Sequence, residues 1–426
     1  MQDNLYLVDR LIEQRDVKKA ETLIAKGLRA TMQKSDHVEL LIRRARVRLL
    51  TARPDDALMD LSTVQADDET RYRSFDVQEL VADSYLARFE QASVGFVERQ
   101  DTIKAQGIYQ AILDESSNYN NTGWIHYQVG RVQLTAGDTE AAAQSFQAAL
   151  LTPSHVRNLT AYCYERLGFI ALYEWRAPNK ALTFLNKSVD TYPASEDQSW
   201  LIQVHNLRSR ALREMQDFHA ALLAAREAVE IATTSGVEGR KGLSEALLTS
   251  AEILSIMDGH EKETAHYLQR FLRITKKPLG VDVTWSRVYE MLGSAYFRLG
   301  QYQDALVSYQ SALQFNPDHP WEISLRYQIA CCYYQQRSYE SVVSELEGLV
   351  ETLEITDYRI YDVIGNARFA LGHYDEALEM YQVALRLVPS NADDKDKIQK
   401  YYGFAQHLST NSNLKPSHSI NQGQSS

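Results

Sequence analysis

The amino-acid sequence predicts an all-α protein, an α-solenoid in which about ten helix hairpins stack on one another, ended by a C-terminal capping helix. Three observations predict it. A small residue of the kind that buries well returns along the chain at near-constant intervals. Apolar residues between Trp285 and Pro320 recur at three- and four-residue steps, the period of one helix face. Only 9 Pro and 19 Gly occur in 426 residues, too few for a loop-rich sandwich or barrel. A chain this long would ordinarily divide into two to four globular domains. A repeat array escapes that expectation, because each unit buries its apolar face on the next.

The most legible unit runs from Trp285 to Pro320. Tyr289, Leu292, Tyr296 and Leu299 mark one helix face, and Gly300-Gln301-Tyr302 interrupts it. Ala305, Leu306, Tyr309, Ala312 and Leu313 mark a second helix, which Asn316-Pro317 ends. Two antiparallel helices approach closely only where a side chain is nearly absent. Gly293, Ala305 and Ala312 supply those places, and Tyr296, Tyr302 and Tyr309 fill the space above and below. A second copy reads Tyr361, Ile364, Gly365, Gly372, Tyr374, Ala377, Tyr381, Ala384, Pro389. Gly293 to Gly365 and Ala305 to Ala377 are each 72 residues apart, which leaves room for one unit between them. Arg326 to Leu349 is that unit, with Ala330, Tyr333, Tyr339, Val342 and Leu346 in the equivalent places.

Followed towards the N-terminus, the small residue of each second helix reads Ala20, Ala57, Ala105, Ala142, Ala181, Ala221, Ala265 and Ala305, with Val342 and Ala377 beyond. Residues 1–275 are thus expected to hold about seven degenerate units, and residues 283–390 three units of regular pattern. The third unit is longer by eleven residues, since Ala82 to Ala105 spans 23 where Gly293 to Ala305 spans 12. The added residues fall within Phe89 to Gln100, a stretch compatible with helix, so extended helices projecting by roughly 16 Å are expected there. Thr234–Gly242 and Lys276–Gly280 read as loops, the second a candidate hinge. Residues 393–409 form one more amphipathic helix, expected to cap the last unit. Residues 410–426, rich in Asn, Ser and Gln, read as a disordered tail.

The order Tyr289, Leu292, Gly293, Tyr296, Gly300, Tyr302, Ala305, Tyr309, Ala312, Pro317 resembles the tetratricopeptide repeat, whose period is about 34 residues. The resemblance implies a right-handed superhelix whose first helices line an inner, concave wall, and a protein that binds polypeptides instead of catalysing a reaction. It does not extend to the clamp by which co-chaperones of this family grip acidic chaperone tails. The matching positions hold Glu290 and Ser294, Tyr327 and Cys331, Asp362 and Asn366. The Lys of that clamp is missing, and Glu290 and Asp362 oppose its charge.

Composition bounds the rest. A net charge of −11 disfavours nucleic-acid binding, although residues 1–50 carry 11 Lys and Arg against 7 Asp and Glu. Cys163, Cys331 and Cys332 sit in apolar helical stretches and offer no disulfide framework. No basic segment precedes an apolar run at the N-terminus, and nowhere do 18 apolar residues run together. A cytoplasmic protein without a membrane span is expected. No metal-binding, phosphate-binding or nucleophile motif occurs, so neither enzyme, metal site nor cofactor is expected.

Counting inward positions from the small residues places the candidate groove on three central first helices. It comprises Trp124, Tyr127 and Arg131; then Tyr162, Arg166 and Phe169; then Asn206, Arg210 and Arg213. Aromatic surface interleaved with Arg suits a protein or peptide with apolar anchors and acidic flanks. The expectation is a protein-interaction scaffold or adaptor. The alternatives are a peptide- or effector-responsive helical-repeat regulator acting through a separate output partner, and an accessory subunit of a larger assembly.

Overall fold

A computed structural model describes residues 2–30, 33–91, 96–115, 119–236, 240–316, 322–352, 355–389 and 392–412. The described residues form α-helices and one 3-10 turn, with no strand among them. They divide into two compact units, Met1–Gln216 and Asp217–Ser426. The division follows packing, whereas the 275/283 boundary read from the sequence follows regularity of the repeat.

Unit 1 contains α1 (Gln2–Glu13), α2 (Val17–Ala30), α3 (Lys34–Leu50), α4 (Pro54–Asp67), α5 (Glu69–Tyr72), α6 (Phe75–Gln91), α7 (Phe96–Glu115), α8 (Thr122–Thr135), α9 (Thr139–Leu151), α10 (Leu159–Tyr173), α11 (Pro178–Thr191) and α12 (Leu201–Glu214). The hairpins are α1/α2, α3/α4, α6/α7, α8/α9 and α10/α11. Unit 2 contains α13 (Phe218–Thr234), α14 (Arg240–Ile256), α15 (Glu261–Ile274), α16 (Val283–Arg298), α17 (Tyr302–Phe315), α18 (Glu322–Gln335), α19 (Tyr339–Thr352), α20 (Tyr358–Leu371), α21 (Tyr374–Leu387) and α22 (Asp394–Ser412). Its hairpins are α14/α15, α16/α17, α18/α19 and α20/α21, with α22 packed on α21. Within each unit, helices pack on their neighbours in the chain and on the next first helix along. That is the contact pattern of a repeat stack and not of a compact ball.

Every residue of the small-residue series is buried; Ala20, Ala57, Ala105, Ala142, Ala181, Ala265, Ala305, Val342 and Ala377 lie on the second helix of a hairpin, and Ala221 lies on α13. The facing first helices carry glycine where large rings of the second helices press on them. A Cβ on Gly130 would meet Phe146 at 2.7 Å, one on Gly293 would meet Tyr309 at 2.8 Å, and one on Gly365 would meet Tyr381 at 2.8 Å. Phe146 and Tyr381 are both fully buried, and the Tyr381 hydroxyl donates to Asn366 Oδ1 at 2.9 Å, so the ring buries without stranding its polar tip. The turn between the helices carries a second signature, a left-handed residue. Gly300 (φ 75°) and Gly372 (φ 83°) take it without strain, while Ala52 (φ 58°) and Arg337 (φ 62°) hold it with a side chain.

The long third hairpin has its excess at the start of α7. Ala105 is tenth in that 20-residue helix, whereas Ala305 is fourth in α17. Residues 92–95, part of the projection expected from the sequence, lie outside the described residues, as do residues 413–426 of the expected tail. Charged side chains of the N-terminal hairpins are paired internally. Arg44 and Arg48 both reach the buried Asp60 at 2.5 Å, Arg43 reaches Asp9 at 2.7 Å, and Arg71 reaches Asp76 at 2.8 Å. The local basicity of residues 1–50 is therefore met in large part by carboxylates of the same unit. Cys163 and Cys332 are buried, and burial pushes each thiol up to about 12, as suits a small hydrophobe. Among the described residues no helix is long and apolar enough to cross a membrane.

Candidate functional site

The first helices α8, α10 and α12 of unit 1 carry the candidate groove residues on one register. Trp124, Tyr127 and Arg131 stand on α8; Tyr162, Arg166 and Phe169 on α10; Asn206, Arg210 and Arg213 on α12. The structure joins the aromatic members into a ladder. Trp124 stacks on Tyr127 with centroids 5.3 Å apart, Tyr127 lies 6.1 Å from Tyr162, and Tyr162 meets Trp200 edge-on at 4.8 Å. Trp200 stacks in turn on Tyr192 at 4.9 Å. Tyr127 is buried among these rings, while Trp124, Tyr162 and Phe169 are half-buried and keep an outer edge. Phe169 stands apart from the ladder, 4.8 Å from Tyr173.

Trp200 and Tyr192 were absent from the groove expected on sequence grounds. Trp200 ends the 3-10 turn Gln198–Trp200, one residue before α12, so counting inward positions along α12 could not reach it. The available signal was an Asp197-Gln-Ser run, which caps that turn through the Asp197 side chain and Ser199 N–H.

The arginines are engaged. Arg131 pairs with Glu90, donates to Gln128 Oε1 at 2.8 Å and lies 6.0 Å from the Tyr127 ring centroid. The Arg166 Nε lies 3.1 Å from a Glu165 oxygen, an ion pair whose angle makes no hydrogen bond. Arg210 donates to the Tyr173 hydroxyl at 2.6 Å. Tyr173, Arg176, Arg210 and Arg213 converge on a cavity of about 130 Å³ at the α10–α12 end of the unit. Asn206 is fully buried, and neither polar atom of its side chain has a hydrogen-bond partner. A buried amide in that condition costs free energy.

Beside Trp124 lies a pair of half-buried carboxylates one helical turn apart on α6. Glu79 accepts from the Tyr119 hydroxyl at 2.6 Å and from Asn121 Nδ2 at 2.9 Å. Asp83 accepts from the Tyr109 hydroxyl at 2.5 Å, from Gln128 at 2.8 Å and from the Trp124 indole N–H at 3.3 Å. Burial, with the neighbouring Asp83 charge, pushes the Glu79 carboxyl up to about 7, and burial likewise raises Asp83. Asp83 thereby fixes the orientation of Trp124. On α10, burial raises the carboxyl of Glu165 too. Among the described residues no group of three or more His, Cys, Asp or Glu side chains could hold a metal ion.

Comparison with known proteins adds the following. A family model described as tetratricopeptide repeat matches residues 286–319, and a second model of the same description matches residues 358–391. Hsp70-Hsp90 organizing protein 2 of Arabidopsis thaliana is 30% identical over 108 residues, which cover 25% of this chain and 18% of that protein. The BBSome complex member BBS4 of Mus musculus is 21% identical over 209 residues, 49% of this chain and 35% of that protein. The chain thus spans about a fifth and about a third of the lengths of these relatives. The solved apo form of the quorum sensor NprR from B. thuringiensis superposes with a TM-score of 0.52 at 14% identity, covering 73% of this chain and 86% of that one. At that identity the likeness speaks to fold alone.

Proposed function

We propose, from the premise that this chain is a tetratricopeptide repeat protein, that it is a non-enzymatic scaffold or adaptor of the cytoplasm which holds a protein or peptide partner against the first-helix wall of unit 1. The observation that carries this reading is the aromatic ladder Trp124, Tyr127, Tyr162, Trp200, held in line by Asp83 and leaving half-buried edges along one wall. Such edges give an apolar anchor a large contact at small entropic cost. Phe169 and the Arg210–Arg213 end extend the same wall and suit a partner with acidic residues beside its apolar ones. Similarity to an organizing protein and to a complex member supports a role in protein association.

Charge reversal is a poor probe of this wall. Glu at Arg131 or Arg166 would face Glu90 or Glu165 and destabilise the unit whatever it binds. Photo-cross-linking is cleaner. A benzoyl-phenylalanine replacing Phe169 is expected to form adducts with the captured partner, and one replacing the exposed Leu151 on α9 is not. Adducts from Leu151 alone would move the site to the other side of the unit.

A further inference from the structure

The charge of the chain is concentrated. Residues 301–394 carry 15 Asp and Glu against five Arg and no Lys, a balance of −10 out of −11 for the whole protein. In the same region of unit 2, a cavity of about 260 Å³ opens on α18, α20 and α22. Phe297, Tyr327, Tyr334 and Tyr401 wall it. Asp362 lines it from α20, and one oxygen of its carboxylate is buried without a hydrogen-bond partner.

Two cations also border the cavity, and neither answers Asp362 directly. Arg359 is held by Asp357, to which its Nη2 and Nε donate at 2.6 and 2.9 Å, and its guanidinium lies 5.4 Å from the Tyr327 ring centroid. Lys397 is exposed on α22 and acts on Asp362 only as a nearby charge. Asn366 hydrogen-bonds the carboxylate, and Asp394 at the rim accepts from the Tyr358 hydroxyl at 2.9 Å. A carboxylate taken out of water with no cation in contact is costly. Aromatic faces attract cations, and a basic partner is drawn to an acidic surface before contact is made.

We propose that this cavity takes a lysine or arginine side chain from a basic segment of a partner protein, seated among the tyrosine rings with its charge toward Asp362. The site is separate from the unit 1 wall and takes a partner segment of opposite charge. Binding adds the cation that the half-buried carboxylate lacks, and the −10 balance of the surrounding repeats supplies the attraction.

The test uses the full chain and a fluorescein-labelled, end-blocked peptide of alternating glycine and lysine, followed by anisotropy in about 0.15 M salt, where long-range attraction is screened. The peptide is expected to bind, and its counterpart with glutamate in place of lysine is not. Asp362→Asn is expected to weaken binding by about tenfold or more, as loss of a desolvated charge partner does. Glu379→Gln, which removes the same charge from an exposed position on α21, should change it by less than about twofold. Equal weakening by both substitutions would reduce the effect to general attraction and overturn the proposal. So would binding of spermine with no binding of the peptide. Should Asp362→Asn fail to fold, Lys397→Glu decides, since it alters only the rim. Tighter peptide binding supports the site, and unchanged or weaker binding overturns it.

Discussion

Gly293→Ala tests the interlock between the two helices of a hairpin. A Cβ at Gly293 would lie 2.8 Å from Cδ1 and Cε1 of Tyr309 and 3.0 Å from its Cγ. Carbon atoms in contact settle at about 3.5–4.0 Å, so the ring or the helix must move by a large part of an ångström. The ring has little freedom to do so, being buried among Ala305, Ala312, Leu325 and Ile329. Overpacking of this kind costs ~1–3 kcal/mol. Alanine in a helix interior gains about 1 kcal/mol over glycine, which offsets part of that cost. Gly348, exposed on α19, supplies the control, because a Cβ there meets nothing within 4 Å. Gly348→Ala should therefore realise the gain of about 1 kcal/mol alone. The same chemical change at two sites should differ by ~1–3 kcal/mol in stability. Urea unfolding followed by circular dichroism at 222 nm reads it as a raised midpoint for Gly348→Ala and a lowered or unchanged one for Gly293→Ala. Adding Tyr309→Leu should make Gly293→Ala favourable. If Gly293→Ala alone stabilises as much as Gly348→Ala, the packing argument is wrong.

Two further predictions concern other features of the stack. Glu79, raised from 4.5 to about 7 by burial and by Asp83, stabilises the fold fully below pH 4.5 and loses that contribution as pH rises through about 7. Relative to the native chain, Glu79→Gln should thus gain stability between about pH 5 and pH 8, and an unchanged difference in urea midpoint would mean the carboxyl is not held protonated. Arg337→Gly should raise the midpoint modestly, since a left-handed non-glycine residue costs ~1–2 kcal/mol and glycine's extra unfolded freedom returns ~0.4–1 kcal/mol of that. A lowered midpoint would show that the Arg337 side chain makes contacts worth more than its strain.

The repeat was legible because its signal is local. Gly293 and Tyr309, 16 residues apart, meet within one hairpin, so spacing alone reports their contact. Nine of the ten residues of the small-residue series lie on second helices for the same reason, Ala221 on α13 being the other. The added length of α7 ahead of Ala105 was legible as a count against Ala305. The short α5 was not, because four residues are too few to show a helical period. The candidate wall was legible in register and not in chemistry. Register places Trp124, Tyr127 and Tyr162 on one face, and the ladder follows. The partners of the arginines lie a repeat away or in the adjoining residue: Glu90 is 41 residues from Arg131, and Tyr173 is 37 from Arg210. Nothing in a single sequence says which of many carboxylates one repeat earlier will face a given guanidinium. The half-buried Glu79–Asp83 pair escaped for a related reason. Its donors come from α7, α8 and the segment between them, and on sequence alone it reads as an ordinary acidic helix face.

The central claim is that a partner polypeptide lies along α8, α10 and α12. The most direct measurement is the cross-link map from benzoyl-phenylalanine placed in turn at Tyr162, Phe169 and Leu151, with the joined peptides identified by mass spectrometry. A single contiguous stretch of partner joined to Tyr162 and Phe169, and absent from Leu151, is the predicted result. Adducts at Leu151, with none at the other two, would contradict the account.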